Sequence, residues 1–329
     1  MPVQLSAAFW SYDRTHALES GAVKVEGVEL LHFDLNPEEM FHRAIFHEEF
    51  DISELSLSYY VAHHSRGTCP YVAIPVFPAR MFRHSAIYIR TDRGIKSPAD
   101  LKGRRIGTPH YSATAVVWAR GALQDDHGVN AHDVEWVTGA LEDKGKRASR
   151  DVHIPPEIRI TAIPDDRTLS EAFAAGDFDA MISPRAPSCY LKRAPNIGRL
   201  WENFPEVERD YHKRTGIFPI MHVMTVRKKT LEKHPWLAVS MFKAWEESKN
   251  RALADLKVER VPKIMLPWVN DFTRQVQSFM GADFWPYGAD ENRKTLEAFM
   301  RHHHAQGLSQ RIMSVEELFV PSTLERIKI

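Results

Sequence analysis

Cysteine is nearly absent: only Cys69 and Cys189 occur among the 329 residues. That excludes a disulfide framework and favours two separate reduced thiols. An excess of either charge is absent too, since 43 Lys and Arg balance 43 Asp and Glu. Without a basic field, nucleic acid is a poor partner, and so is an anionic membrane; a small molecule is the better one. No run approaches the roughly 18 apolar residues that span a bilayer. The start, Met1-Pro2-Val3-Gln4-Leu5-Ser6, has neither the basic nor the apolar region of a secretory signal. A cytoplasmic protein is therefore expected. No G-x-G-x-x-G follows a strand, and there is no Walker A loop, G-x-S-x-G elbow or H-E-x-x-H. These gaps predict a chain without an organic cofactor. Histidine, by contrast, is plentiful at 17. His302-His303-His304 and His63-His64 are consecutive, so on helices they point apart and cannot share a metal. Solvated helix ends are the expectation for both runs, and no metal is predicted.

Hydrophobic residues at 43% and charged residues at 26% fit an ordinary globular chain of about two domains. Short apolar runs alternate with helical patterns. Gln4–Trp10, Val28–Leu35, Asp51–Leu57 and Val72–Phe77 read as strands, Pro75 placing the last near an edge or a bend. Asn36-Pro37 caps and opens a helix, with Glu39 available for a capping box and Phe41, Ala44 and Ile45 as its apolar stripe. The pattern restarts with strands at Ser85–Arg90, Arg104–Thr108, Val134–Val137 and Asp179–Ser183. Between them lie a turn of helix at Ser97–Gly103 and a helix at Ser112–Gln124. Another starts at the capping box Thr168-x-x-Glu171 and stops at Gly176. Gly139–Glu157 reads as a long charged loop. After a last apolar run, Ile220–Val226, helices are predicted at Lys233–Leu256, Trp268–Phe279 and Asp290–Gln306, the last burying Leu296, Phe299 and Met300. Alternation of this kind predicts mostly parallel sheets covered by helices, in two similar α/β units.

Polar residues gather where the strands end, which is where open α/β sheets bind ligands. Asp13, Arg14 and His16 follow the first strand; Ser56 and Ser58 follow the third. Arg80, Arg83 and His84 come after Phe77, Tyr111, Ser112 and Thr114 after Thr108, and Arg185 after Ser183. His222 opens the Ile220–Val226 run. At Tyr111–Thr114 the N–H groups of Ser112, Ala113 and Thr114 would face outward and suit a carboxylate or phosphate; a plain Ser112 cap is the competing reading, and the residues do not decide. The arginines suit carboxylates, although each one singly also suits a surface ion pair.

The order and spacing of several short motifs resemble the 4,5-dihydroxyphthalate decarboxylase family. They are Tyr12-Asp13-Arg14-Thr15, Glu54-Leu55-Ser56-Leu57-Ser58, Phe82-Arg83-His84-Ser85-Ala86-Ile87-Tyr88 and Tyr111-x-x-Thr114-Ala115-x-x-Trp118-x-Arg120-Gly121. Phe218-Pro219-Ile220-Met221-His222, Pro286-Tyr287-Gly288 and Asn292-Arg293 follow. At His110-Tyr111-Ser112-Ala113 the chain departs from the Glu-Tyr-Gln-Met-like turn expected there. The resemblance implies a type II periplasmic-binding-protein-like fold, two α/β lobes about a ligand cleft. One lobe is expected at 1–83 plus 217–329, the other at 84–216. It implies non-oxidative decarboxylation of a hydroxylated phthalate, 4,5-dihydroxyphthalate giving protocatechuate and CO2, with no cofactor. The expected partner is a small aromatic dicarboxylate, and a homo-oligomer is left open. His222, His84 and Asp13 are the candidate catalytic residues. Arg14, Ser56, Ser58, Arg80, Arg83, Tyr111, Ser112, Thr114 and Arg185 are the candidates for holding substrate. A core role for His222 stands beside the catalytic one. The same fold serves solute-binding proteins and ligand-binding domains, so a binder of aromatic carboxylates without turnover is the alternative.

Overall fold

A computed structural model describes residues 1–145 and 154–325. Eleven strands are described: β1 (Val3–Ala8), β2 (Val28–Phe33), β3 (Ile52–Ser56), β4 (Tyr71–Ala73), β5 (Ile87–Arg90), β6 (Arg105–Thr108), β7 (Glu135–Thr138), β8 (Ile160–Ala162), β9 (Ala180–Ile182), β10 (Ile197–Arg199) and β11 (His222–Arg227). They form two sheets, ordered β2-β1-β3-β11-β4 and β10-β5-β9-β6-β7-β8. In the first sheet β11 runs antiparallel to both neighbours, while β2, β1 and β3 are parallel. β4 is an edge strand, where the nearby Pro75 costs no ladder bond. Two α/β sheets are what the alternation of strands and helices predicts, and a two-lobed periplasmic-binding-like fold is what the resemblance implies.

The local signals act as their chemistry requires. The Asn36 side chain accepts from the Glu38 N–H and Pro37 opens the helix Pro37–His47. Glu39 closes no capping box; it pairs with Arg43 at 2.9 Å. Thr168 and Glu171 make a full capping box and Gly176 ends that helix at φ +88°. The predicted helix Lys233–Leu256 is two helices, Lys228–Lys233 and Leu237–Asp255. Pro235 separates them, because His234 before it is pushed out of the helical region to φ −132°. The predicted helix from Ser112 starts at Thr114, with Ala113 at the cap and no side-chain cap bond. The Ala113 N–H is spent on the His110 carbonyl, so the outward row of donors expected at Ser112–Thr114 is shorter than predicted. β8 and β10 are three residues each and escape any periodicity argument. Residues 146–153 of the predicted Gly139–Glu157 loop lie outside the described residues.

Two chain crossings run side by side between the sheets. Arg80 bridges Ile220 antiparallel, the Met81 N–H donates to the Pro219 carbonyl, and Met221 donates to Ala79. The helix Thr114–His127 packs on Arg293–Ala305, and Trp118 donates from Nε1 to the Ile220 carbonyl at 2.8 Å. His302 and His303 are buried here, correcting the solvated helix end expected for them. A Cβ at Gly121 would stand 2.6 Å from Nδ1 of His302. Gly121→Ala is thus expected to destabilise the fold by about 1–3 kcal/mol, as overpacking does, read as a lower urea midpoint. Among the described residues no helix is long and apolar enough to cross a membrane.

Candidate functional site

The site grows from the carboxyl ends of β1 and β3 and the amino end of the reversed strand β11, which meet at one edge of the first sheet. All five residues of β3 are buried, and Glu54 stands in its middle with no exposure. A carboxylate in that position needs donors, and it has three. The Trp10 N–H donates to Oε2 at 3.0 Å, the Tyr12 hydroxyl donates to Oε1 at 2.8 Å, and Nδ1 of His222 lies 2.5 Å from Oε1. The register explains the last contact. His222 pairs with Ser56 and Met224 with Glu54 across β11 and β3, so His222 and Glu54 are diagonal neighbours on one face.

With Nδ1–H committed to the carboxylate, Nε2 is the nitrogen left to exchange a proton. The His222 side chain is 18% exposed, and Phe41 meets its ring edge-on at 5.0 Å. Burial, then the charge of Glu54, pushes the Tyr12 phenol far above its ordinary range. Tyr12 is therefore a neutral donor that holds Glu54 in place.

Arg14 stands beside this dyad. Its guanidinium is sandwiched between the rings of Tyr12, 4.1 Å away, and Trp285, 4.3 Å away. Nε donates to the Pro78 carbonyl and Nη1 to Asp13 at 2.9 Å. Asp13 serves Arg14 in this way and is half exposed; the carboxylate bonded to His222 is Glu54.

The remaining predicted residues divide. Ser56 and Ser58 join Thr114 of the second unit: Ser56 Oγ and Thr114 Oγ1 are 2.8 Å apart, and the Ser58 N–H donates to Thr114 Oγ1 at 3.0 Å. Ser58 Oγ also lies 3.0 Å from Nε2 of His303. This buried network forms the floor between the sheets. Arg185 stands at the rim, 69% exposed and 3.8 Å from Glu38 of the facing unit. Arg83 reaches across as well, from the Met221 sulfur to the Pro184 carbonyl, and burial pushes its guanidinium down to about 10.

Others are drawn into packing. Tyr111 lies under Arg120, 3.6 Å from its ring centroid, and donates to the Gln306 carbonyl. Ser112 is buried beside it. Arg80 is buried and donates to the carbonyls of Phe218 and Pro286 and to Asn292 Oδ1. It stitches the crossing to the C-terminal region. His84 is buried as well. It packs edge-on against Trp201 and Tyr211, and burial pushes its imidazole down to about 4. The apolar wall that lowers it is invisible in sequence, since Trp201 and Tyr211 come from over a hundred residues away. Among the described residues no three His, Cys, Asp or Glu side chains converge as metal ligands would.

Two participants were missed by sequence reasoning. Glu54 carried a signal, as a lone acid inside an otherwise apolar and serine strand. Tyr12 stands, like Glu54, in a motif that carries the resemblance, but its role as a donor depends on Glu54 and cannot be read from that motif alone.

Comparison with known proteins decides the family. Residues 79–150 match the model of the "NMT1/THI5 like" family. A 4,5-dihydroxyphthalate decarboxylase of Comamonas testosteroni is 43% identical over 327 residues, 99% of each chain. The chain belongs to the 4,5-dihydroxyphthalate decarboxylase family. A second member so named, from Pseudomonas putida, is 44% identical over 211 residues, covering 64% of this chain and 82% of that one. Among solved structures, a Candida albicans protein titled as having the generic periplasmic binding protein fold superposes with a TM-score of 0.54 at 10% identity. It covers 100% of this chain and 99% of that one, and it supports the fold alone. The motifs that carry the resemblance are spread over two surroundings here: Tyr12, Arg14 and Glu54 lie together beside His222, whereas Trp118, Arg120 and Asn292 lie in the packing beneath.

Proposed function

We propose that this protein is a non-oxidative carboxy-lyase that converts 4,5-dihydroxyphthalate to protocatechuate and CO2. Direct loss of CO2 from an aryl carbon would leave an aryl anion of very high energy. A hydroxyl para to the leaving carboxylate offers a lower route, in which the phenol is deprotonated, the ring carbon is protonated, and the dienone-like intermediate expels CO2. That route needs an acid, a base and a cationic hold on the second carboxylate, and it needs neither metal nor organic cofactor. The Glu54–His222 dyad is the observation that carries the reading. Glu54 stabilises the imidazolium that delivers a proton from Nε2 to the ring carbon. A pure binder gives a fully buried carboxylate bonded to a partly exposed imidazole no task.

The lobes are proposed to divide at 1–83 plus 217–329 and 84–216, with substrate between them. The enzyme is placed in the cytoplasm, consistent with two unpaired cysteines. Incubating the protein with 4,5-dihydroxyphthalate, before and after exhaustive chelation, tests the reading. Equal release of CO2 and protocatechuate in both samples is expected; absence of turnover would return the protein to the binders.

Arg14 is the best placed carboxylate clamp, because the rings of Tyr12 and Trp285 hold its guanidinium beside the dyad. Arg185, exposed and engaged with Glu38, is assigned to the rim. Arg14→Lys keeps the charge but loses the planar fork. It is expected to lower kcat/KM on the diacid by the equivalent of about 2–5 kcal/mol. The same change in a benzoate lacking the second carboxylate should be small. Equal losses on both would assign Arg14 to packing.

A further inference from the structure

Three successive carbonyls leading into the first crossing hold the parts of the site together. The Phe77 carbonyl accepts from Nε1 of Trp285 at 3.0 Å. The Pro78 carbonyl accepts from Nε of Arg14. The Ala79 carbonyl accepts from the N–H groups of Met221 and His222, at 2.8 and 3.3 Å. One stretch of backbone therefore spaces Arg14 from His222, and Trp285 is tied to the same stretch. Arg14 lies over the Trp285 ring, 4.3 Å from its centroid, and over the Tyr12 ring at 4.1 Å. Tyr12 leads on through Glu54 to His222.

Trp285 is itself held at two further points. Its N–H donates to Asp283 Oδ1 at 3.0 Å, and Asp283 Oδ2 accepts from the buried Lys249 ammonium at 2.8 Å. Phe218, from the second crossing, meets the indole edge-on at 5.3 Å and 90°. The indole thus has a fixed place between the two crossings, and the guanidinium rests on it. A guanidinium grips a carboxylate through two parallel N–H bonds in one plane, and a ring lying against it favours one orientation of that plane.

We propose that Trp285 is a positioning residue that sets the preference of this site for an aromatic 1,2-dicarboxylate over a monocarboxylate. Stacked on Arg14 and bonded to the backbone that also carries His222, it keeps the guanidinium in register with the dyad. The inference rests on the reading of Arg14 as the clamp. An aromatic 1,2-dicarboxylate has its two carboxylates on neighbouring ring carbons. One of them can be held while the other faces the proton donor only if clamp and donor stand at one spacing. An Arg14 side chain without the indole keeps its charge and loses that spacing, so the second carboxylate gains little from it.

Phthalate and benzoate lack the hydroxyl the reaction needs, so calorimetry gives their affinities without turnover. The wild type is expected to bind phthalate more tightly than benzoate. Trp285→Leu removes the ring and its Nε1–H, and should weaken phthalate binding about tenfold while benzoate changes by less than about twofold. Trp285→Phe keeps an aromatic face and should restore most of the preference, leaving about a threefold loss on phthalate; it decides the matter if the leucine variant does not fold. In an Arg14→Lys background Trp285→Leu should add little, because it acts through Arg14. Equal weakening of both ligands, or an unchanged preference, would overturn the proposal, and so would losses that add in the double variant. A wild type that binds the two ligands alike, or an Arg14→Lys variant with unchanged preference, would remove the clamp and this inference with it. A wild type that prefers phthalate but releases no CO2 from 4,5-dihydroxyphthalate would instead remove the decarboxylase reading alone.

Discussion

Replacing His222 by Gln is expected to lower kcat by about 10²–10⁴-fold while KM changes little, because proton delivery to the ring carbon occurs only in the transition state. Glu54→Gln should act in the same direction and less strongly. The neutral amide fills the same space, yet it no longer favours the imidazolium, a partner effect typically worth about 10–100-fold. Combining the two should cost little more than His222→Gln alone, since Glu54 acts through His222. Single-turnover measurements with 4,5-dihydroxyphthalate check all three variants. If Glu54→Gln matches wild type, the buried carboxylate is a packing feature and the acid is elsewhere. Tyr12→Phe leaves Glu54 with two donors in place of three and should give the smallest loss of the set.

The dyad shows where sequence reading stops. Asn36-Pro37, Thr168 to Glu171 and Gly176 are local devices, so each could be read from its own few residues and each sits where its chemistry places it. The alternation of strands and helices likewise fixed the class of fold, since buried sheets require helical cover. His222 and Glu54 are 168 positions apart, and they meet only because β11 inserts antiparallel between β3 and β4. That insertion depends on the chain returning from the second sheet, which no local pattern encodes. The arginines illustrate the same limit. Arg14, Arg80, Arg83 and Arg185 were equivalent as residue types after strand ends. Tertiary packing made one a ring-sandwiched cation, one a buried stitch, one a bridge between units and one a rim group. Histidine was the most misleading, because a surface residue and a buried neutral one have the same sequence signature.

Those buried histidines set the last expectation, that the fold is acid-labile well before its carboxylates protonate. Burial pushes His84 and His302 down to about 4 and His303 down to about 3. For His302 the nearby Asp125, 3.3 Å away, favours the charged form, yet burial outweighs it. His303 lies against the Ser58 carbonyl at 3.1 Å, which requires the hydrogen on Nε2, and its Nδ1 has no protein partner. In the unfolded chain each imidazole titrates near its ordinary value of about 6.5. Between that value and the depressed ones, the unfolded state binds up to three protons that the native state refuses. Stability therefore falls as pH drops from about 6.5 towards 4 and is insensitive to these groups above 7. Each depressed unit corresponds to about 1.4 kcal/mol, so the three together cost on the order of several kcal/mol at pH 4, a large share of a typical domain's stability. Urea unfolding followed from pH 7.5 to 4 should show this as a steep loss. His84→Phe replaces an imidazole whose Nδ1 has no protein partner with a ring suited to Trp201 and Tyr211. It should remove about one proton from the slope and leave the neutral-pH stability near wild type. A midpoint that is flat between pH 7 and 5 would mean that water reaches these histidines and that the helix Arg293–Ala305 is held by its apolar stripe alone.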